Sequence, residues 1–256
     1  MAAWEETMKI QGAIAAIAGL ALPWLAAQVQ AAELKVLAST AVKTTVEELA
    51  PQFEKATGNK VDVTFAPASV LKEKIDQGTA FDVTILTAPI IDGLAGSGKI
   101  DTARTTIAHS GIGVAIKKGA AKPDIGTSEA FKQALLKANS VGYTAGGATG
   151  AYLKTLFDKL GIAEALKPKL KLLQGGVGEA VTSGEIEIGM TQISEILPHP
   201  GAELAGPLPP DIQSYTYFSA AVSAASKDAD AAKAFVKYLA GPSALAVIKA
   251  KGMEPG

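Results

Sequence analysis

The sequence has no cysteine, two histidines, one arginine and a formal net charge of −1 over 256 residues. Each scarcity removes a class of chemistry. Without cysteine there is no thiol nucleophile, iron–sulfur ligation, cysteine zinc site or disulfide, and no lipobox, which needs a lipidated cysteine. The histidines, His109 and His199, are too few for a His-rich metal centre. Arg104 stands alone among 24 basic residues, the others being lysines. A balance so near zero leaves no electrostatic footprint for nucleic acid, and none is expected as a partner. What is present is apolar, with 48% hydrophobic against 19% charged residues and a mean hydropathy of +0.23. That composition excludes wholesale disorder and permits a sizeable core. The length suits one large domain or two lobes of roughly 100 residues each.

Residues 10–29 are almost uncharged and rich in Ala, Leu and Ile, long enough to span a membrane. Pro23 interrupts the run, and Val29-Gln30-Ala31 forms a small-x-Ala pattern followed at once by strand-like residues 34–38. This reads as a removable signal peptide, residues 1–32, cleaved near Ala31 or Ala32, rather than a retained anchor. Glu5 and Glu6 make the first residues acidic, so Met8-Lys9 is the better start of such a segment. The expected destination is the periplasm. No second apolar run of that length follows, and the mature protein is expected to be soluble.

The remainder alternates strands and helices. Residues 34–38 form a short apolar strand. Val42, Val46, Leu49, Phe53 and Ala56 recur at spacings of three and four, which predicts a helix over residues 40–57. Gly58 ends it, and Pro51 should kink it. Residues 61–65 alternate as a strand, and Ser69 can cap a helix carrying Leu71 and Ile75. A strand over 81–86 and a helix over 89–95 complete a βαβαβα order, which implies a parallel sheet with right-handed crossovers. The second half repeats the theme: strands over 140–143, 170–173 and 186–190, another near Leu204, and a helix after Gly150. Two longer β-rich segments, 111–116 and 215–223, flank this half. Helices over 228–239 and 242–250 close the chain, with Leu245 and Ile248 as apolar positions of the last.

Apparent catalytic motifs are weak. Residues 93–99 nearly spell a phosphate-binding loop, but position 100 is Ile and Gly93 falls within a helical pattern, so helix termination is the better account. His109 adjoins Ser110, yet neighbours on a strand face opposite sides, and no G-x-S-x-G elbow occurs. His199, between Pro198 and Pro200, reads as a loop histidine. Glu185 and Glu187 read as solvated. No cofactor or metal is expected.

A different signal recurs. Several strands end in a small or hydroxyl-bearing residue that opens a helix: Ser39-Thr40, Ala68-Ser69, residues 146–150 (Gly-Gly-Ala-Thr-Gly) and residues 175–178 (Gly-Gly-Val-Gly). Helix N-termini expose unpaired N–H groups and the positive end of the macrodipole. Hydroxyls add donors, and glycines let a ligand approach the backbone. Such a set at the carboxyl ends of parallel strands binds an anion without formal positive charge. Any one of these motifs alone is an ordinary helix start; their equivalent topological positions carry the argument.

These stretches, with Leu37-Ala-Ser-Thr-Ala, residues 49–58, Phe65-Ala-Pro-Ala-Ser69, residues 77–86, residues 110–115 and Gly252-Met-Glu-Pro255, resemble periplasmic solute-binding proteins of the molybdate-binding (type II) family. The resemblance implies an α/β protein of two lobes, each a mainly parallel sheet flanked by helices, joined by two crossover strands. It assigns residues 33–112 plus 214–256 to lobe 1 and 113–213 to lobe 2. It implies a monomer that holds a small anion, a molybdate-like oxyanion or a di- or tricarboxylate, and delivers it to an ABC permease. The ligand set it suggests is Ser39, Thr40, Ala68, Ser69, Gly147, Ala148, Thr149, Gly150, Val177 and Gln192. Molybdate binders typically carry a tyrosine after the strand near residue 190; here Thr191-Gln192 stands there. That change and the glycine-rich residues 146–150 suggest a roomier cleft for an organic carboxylate. The sequence is also similar to periplasmic aconitate isomerases of the same superfamily, which move a proton across an allylic system without cofactor. Such a reaction needs a base within hydrogen-bond reach of an acidified C–H, with His109, Glu195 or a lysine as candidates.

Overall fold

The computed structural model describes residues 31–256, which form one compact unit. Apart from Ala31 and Ala32, the expected leader lies outside the described residues. Strand β1 (Glu33–Ser39) turns β-sheet into helix at its last residue: a 3-10 turn (Thr40–Val42) runs into α1 (Lys43–Thr57). Helix α1 buries Val46, Leu49, Ala50 and Phe53, the inner face its spacing predicts, while Ala56 is exposed. Pro51 lies on the exposed side and does not end the helix. Gly58, at φ +79°, does, donating its N–H to the Glu54 carbonyl; the positive φ favours glycine there. Then follow β2 (Lys60–Ala66), α2 (Ala68–Asp76), β3 (Val83–Thr87) and α3 (Ala88–Gly96). The near phosphate-binding loop is the end of α3, which Gly98 (φ +69°) turns out of.

Strand β4 (Ile100–Lys117) is 18 residues long. Its first part pairs with β9 and its last residues with β7 and β8, all antiparallel. Beyond it come α4 (Ser128–Lys137), β5 (Val141–Thr144), α5 (Gly147–Lys159), α6 (Ala163–Leu166), β6 (Leu170–Leu173), α7 (Val177–Ser183), β7 (Ile188–Gln192), α8 (Ile193–Ile196) and β8 (Ala202–Pro207). The chain returns along β9 (Tyr215–Ser223) and ends with α9 (Ala229–Leu239), α10 (Pro242–Ala250) and β10 (Glu254–Pro255).

The strand order is β2-β1-β3-β9-β4-β7-β5-β6, with β8 and β10 also paired to β4. Both ends, β2-β1-β3 and β7-β5-β6, are parallel, as βαβ connections require; the middle is antiparallel because β4 and β9 cross it in opposite directions. The apolar interior divides in the same way. One end of the sheet packs on residues from Leu34 to Ala108 together with Phe218 to Met253. The other packs on residues from Ile112 to Leu208. We call these ends the first and second lobes.

Three local expectations shift. Helix α5 opens at Gly147, not after Gly150. The strand expected over 186–190 is β7, which places Thr191 and Gln192 at its end. Leu245 is 41% exposed, and Ala244, Val247 and Ile248 form the inner face of α10. Among the described residues no single helix is long and apolar enough to cross a membrane.

Candidate functional site

Each of the six parallel strands, β1, β2, β3, β5, β6 and β7, leads into a helix or helical turn. The residues at those N-termini are Ser39, Pro67, Thr87, Gly146, Gly176 and Gln192, and none caps its helix through its own side chain. All six line a single cleft of about 510 Å³. Helix starts normally satisfy their first N–H groups with such a side chain. Here those groups are left for the cleft, at the carboxyl ends of parallel strands where α/β folds bind ligands.

Of the residues expected to bind ligand, Ser39, Thr40, Ala68, Gly147, Ala148, Thr149, Val177 and Gln192 line this cleft. Ser69 and Gly150 are not among its lining residues. Ser69 does not cap α2: Pro67, with φ at −53°, opens that helix two residues earlier, and Ser69 is exposed in its first turn. Gly150 is buried, and a Cβ on it would lie 2.3 Å from the Ala145 carbonyl oxygen. It lets the first turn of α5 fold against the preceding backbone. His109 lies outside the cleft lining, stacked on Tyr217 (4.8 Å between centroids) and edge-on to Tyr215 (5.6 Å), so it is not placed to serve as a base there. Glu195 does line the cleft.

Two networks organise the walls. Gln192 is 4% exposed, and its Nε2 donates to Thr149 Oγ1 (2.8 Å) and Thr216 Oγ1 (3.1 Å), while its Oε1 is buried without a partner. Thr216 arrives on β9, where alternation sends Thr216 and Phe218 into the cleft and leaves Tyr215 and Tyr217 exposed. The Glu195 carboxylate accepts from Thr40 Oγ1 (3.2 Å) and Thr191 Oγ1 (2.5 Å). Beside it, Ser194 Oγ donates to the Ala41 carbonyl (2.8 Å). Thr40 and Ala41 belong to the first lobe and Ser194 and Glu195 to the second, so these hydrogen bonds join the lobes.

Sequence reasoning missed Thr87, Thr144, Thr216 and Lys43, and it missed Glu179 and His199, which also line the cleft. Thr87 carries the same signal as Ser39, a hydroxyl between strand and helix, and was legible. Lys43 lies 3.8 Å from Glu47, and His199 Nδ1 lies 3.6 Å from Glu179 Oε1. Each basic side chain of the cleft thus has a carboxylate beside it, so the cleft holds no excess of cations, and the donors it offers beyond these are neutral. Among the described residues no three His, Asp or Glu side chains gather as metal ligands would.

Two α/β lobes around a cleft lined by helix N-termini define a protein that binds a small solute. Residues 34–254 match the family model described as bacterial extracellular solute-binding protein, and the chain belongs to that family. It is 34% identical over 251 residues to an aconitate isomerase from Pseudomonas sp, covering 95% of each chain. It is 30% identical over 244 residues to the molybdate-binding protein of Azotobacter vinelandii, covering 89% of this chain and 92% of that protein. The solved structure of an Azotobacter vinelandii periplasmic molybdate-binding protein superposes with a TM-score of 0.70 at 22% identity, covering 87% of this chain and 99% of the other.

Proposed function

We propose that this protein is exported to the periplasm, captures a small organic di- or tricarboxylate in its cleft and delivers it to an ABC permease. The observation that carries the reading is the cleft itself: six helix N-termini without side-chain caps around a volume of about 510 Å³. That volume is in the range taken by small organic ligands. Gln192, in place of the tyrosine that the molybdate-binding resemblance implies, supports a wider ligand than a tetrahedral oxyanion. Neutral donors hold an anion by charge-assisted hydrogen bonds. Calorimetry of the mature protein with tricarballylate, trans-aconitate, succinate and molybdate tests this. One of the organic acids should bind at least tenfold more tightly than molybdate; the reverse order overturns the reading.

A second reading, an aconitate isomerase, is favoured by Glu195, the cleft carboxylate that accepts hydrogen bonds from the hydroxyls of Thr40 and Thr191 and has no basic side chain paired to it, and by the relative of that name. In this reading Glu195 takes a proton from the carbon at one end of the allylic system. The C–H bond breaks, the double bond migrates, and the proton returns to the other end, with no net redox change. Proton NMR of cis-aconitate incubated with the protein should then show the trans isomer, and Glu195→Gln should abolish the conversion. No conversion by the unsubstituted protein leaves the binding reading alone.

A further inference from the structure

His199 sits in a loop between two prolines, yet three features bring it to the cleft as a built part of its wall. First, it lines the cleft, on the second lobe. Second, α7 makes room for it. A Cβ at Gly178 would lie 2.3 Å from His199 Cδ2 and 2.4 Å from Cγ, so the imidazole occupies the space that any other residue in this turn would fill. Gly178 is buried and not among the positive-φ glycines, so glycine here serves the ring's approach and not the backbone's conformation. Third, the next residue, Glu179, sets its Oε1 3.6 Å from His199 Nδ1. That separation is beyond hydrogen-bond length, but it sets the carboxylate beside Nδ1 of the ring.

The inventory of charge around the cleft gives this arrangement a purpose. The side chains there able to carry positive charge are Lys43 on the first lobe and His199 on the second; Glu47, Glu179 and Glu195 are the carboxylates. An anion with a single charged group can be held wholly by helix N-termini and hydroxyls. An acid with further carboxylates must set each of them against a donor, and the lobes offer one basic side chain apiece. We propose that His199 contacts the ligand and reads a second carboxylate, so that the cleft selects acids with at least two, and that Gly178 and Glu179 are its positioning residues. This rests on the organic-acid reading above and names the class of acid within it.

The test is calorimetry with tricarballylate. His199→Gln should weaken binding at least tenfold. Gly178→Ala should do the same with the histidine intact, because its methyl displaces the ring. Glu179→Gln should weaken it less, by a few-fold, since orientation alone is lost. The two histidines of the chain make a second readout direct: of two imidazole Cε1–H proton resonances, the one missing in His199→Gln should be the one tricarballylate moves most. His199→Gln binding within twofold of the unsubstituted protein overturns the proposal even if Gly178→Ala fails to fold. So does a tricarballylate-induced shift confined to His109. If the unsubstituted protein binds molybdate and no organic acid, the organic-acid reading falls first and this proposal with it; binding of tricarballylate unaffected by His199→Gln removes only the proposal.

Discussion

Ser39 is 5% exposed at the end of β1 and makes no capping bond, so its hydroxyl is free to serve the cleft. A hydrogen bond to a charged group contributes about 1.5–3 kcal/mol, which is roughly 10- to 100-fold in affinity. Ser39→Ala should weaken ligand binding by that factor, whereas Ser69→Ala, at an exposed position outside the cleft lining, should change it less than twofold. Calorimetry on both variants checks this, and a larger loss from Ser69→Ala would mean the cleft is not the binding site. Gly150→Ala forces a methyl onto the Ala145 carbonyl; overpacking of this kind destabilises by about 1–3 kcal/mol, and thermal unfolding should show it. Ser39 is legible in the sequence because the same strand-to-helix signal recurs at equivalent positions along the chain, although a hydroxyl there is by itself an ordinary helix start. Gln192, Thr149 and Thr216 are not legible as a network, since they meet only once β9 has returned beside β4. His199 is not legible because its place depends on a glycine in a separate helix.

The join between α1 and β2 shows how one side chain fixes the geometry of two elements. Glu54, near the end of α1, accepts the Val61 N–H at 2.8 Å and meets Lys60 Nζ at 3.4 Å. The Val61 hydrogen bond first, and Lys60 after it, hold the carboxyl below its ordinary value despite some desolvation. A lowered folded-state value stabilises the protein above the unfolded carboxyl's pKa, and the effect is lost as pH falls through the folded value. Glu54→Gln should therefore reduce stability by about 1 kcal/mol near pH 7, allowing for partial exposure, and by much less near pH 3. Urea titrations at the two pH values measure the difference; equal losses would mean the carboxylate's charge plays no part. The elements themselves are largely legible, because spacings of three and four mark α1 and strict order marks the βα repeats. The start of α5 is not, because Gly147 holds φ +82° and opens the helix from a backbone that side-chain periodicity does not register.

At the scale of the molecule, β4 and β9 carry the chain between lobes, and Thr40–Glu195 and Ser194–Ala41 tie the lobes across the cleft. Hinge closure on ligand should lower the radius of gyration seen by small-angle scattering. Ser194→Ala, which removes a buried interlobe bond, should enlarge the ligand-free radius. No change in either comparison would mean that the lobes move as one rigid body. Both tryptophans, Trp4 and Trp24, lie in the expected leader. The exported protein should consequently fluoresce as a tyrosine-only protein, and indole emission from it would show that the leader is retained.

The path of the chain through the two lobes also orders their assembly in time. The apolar residues of the second lobe run from Ile112 to Leu208 in one uninterrupted stretch, while those of the first are gathered from both sides of it, as far as Met253. Delivered N-terminus first, the second lobe has its whole core available before Phe218, Phe235 and Ile248 have emerged, and units with their own core can fold separately. The first lobe waits with Leu34, Val36 and Val83 unsealed until β9, α9 and α10 arrive, and its contacts span nearly the whole described chain, which slows their formation. While that half-built sheet is exposed, its unpaired edges and apolar residues are the kind of surface that invites aggregation.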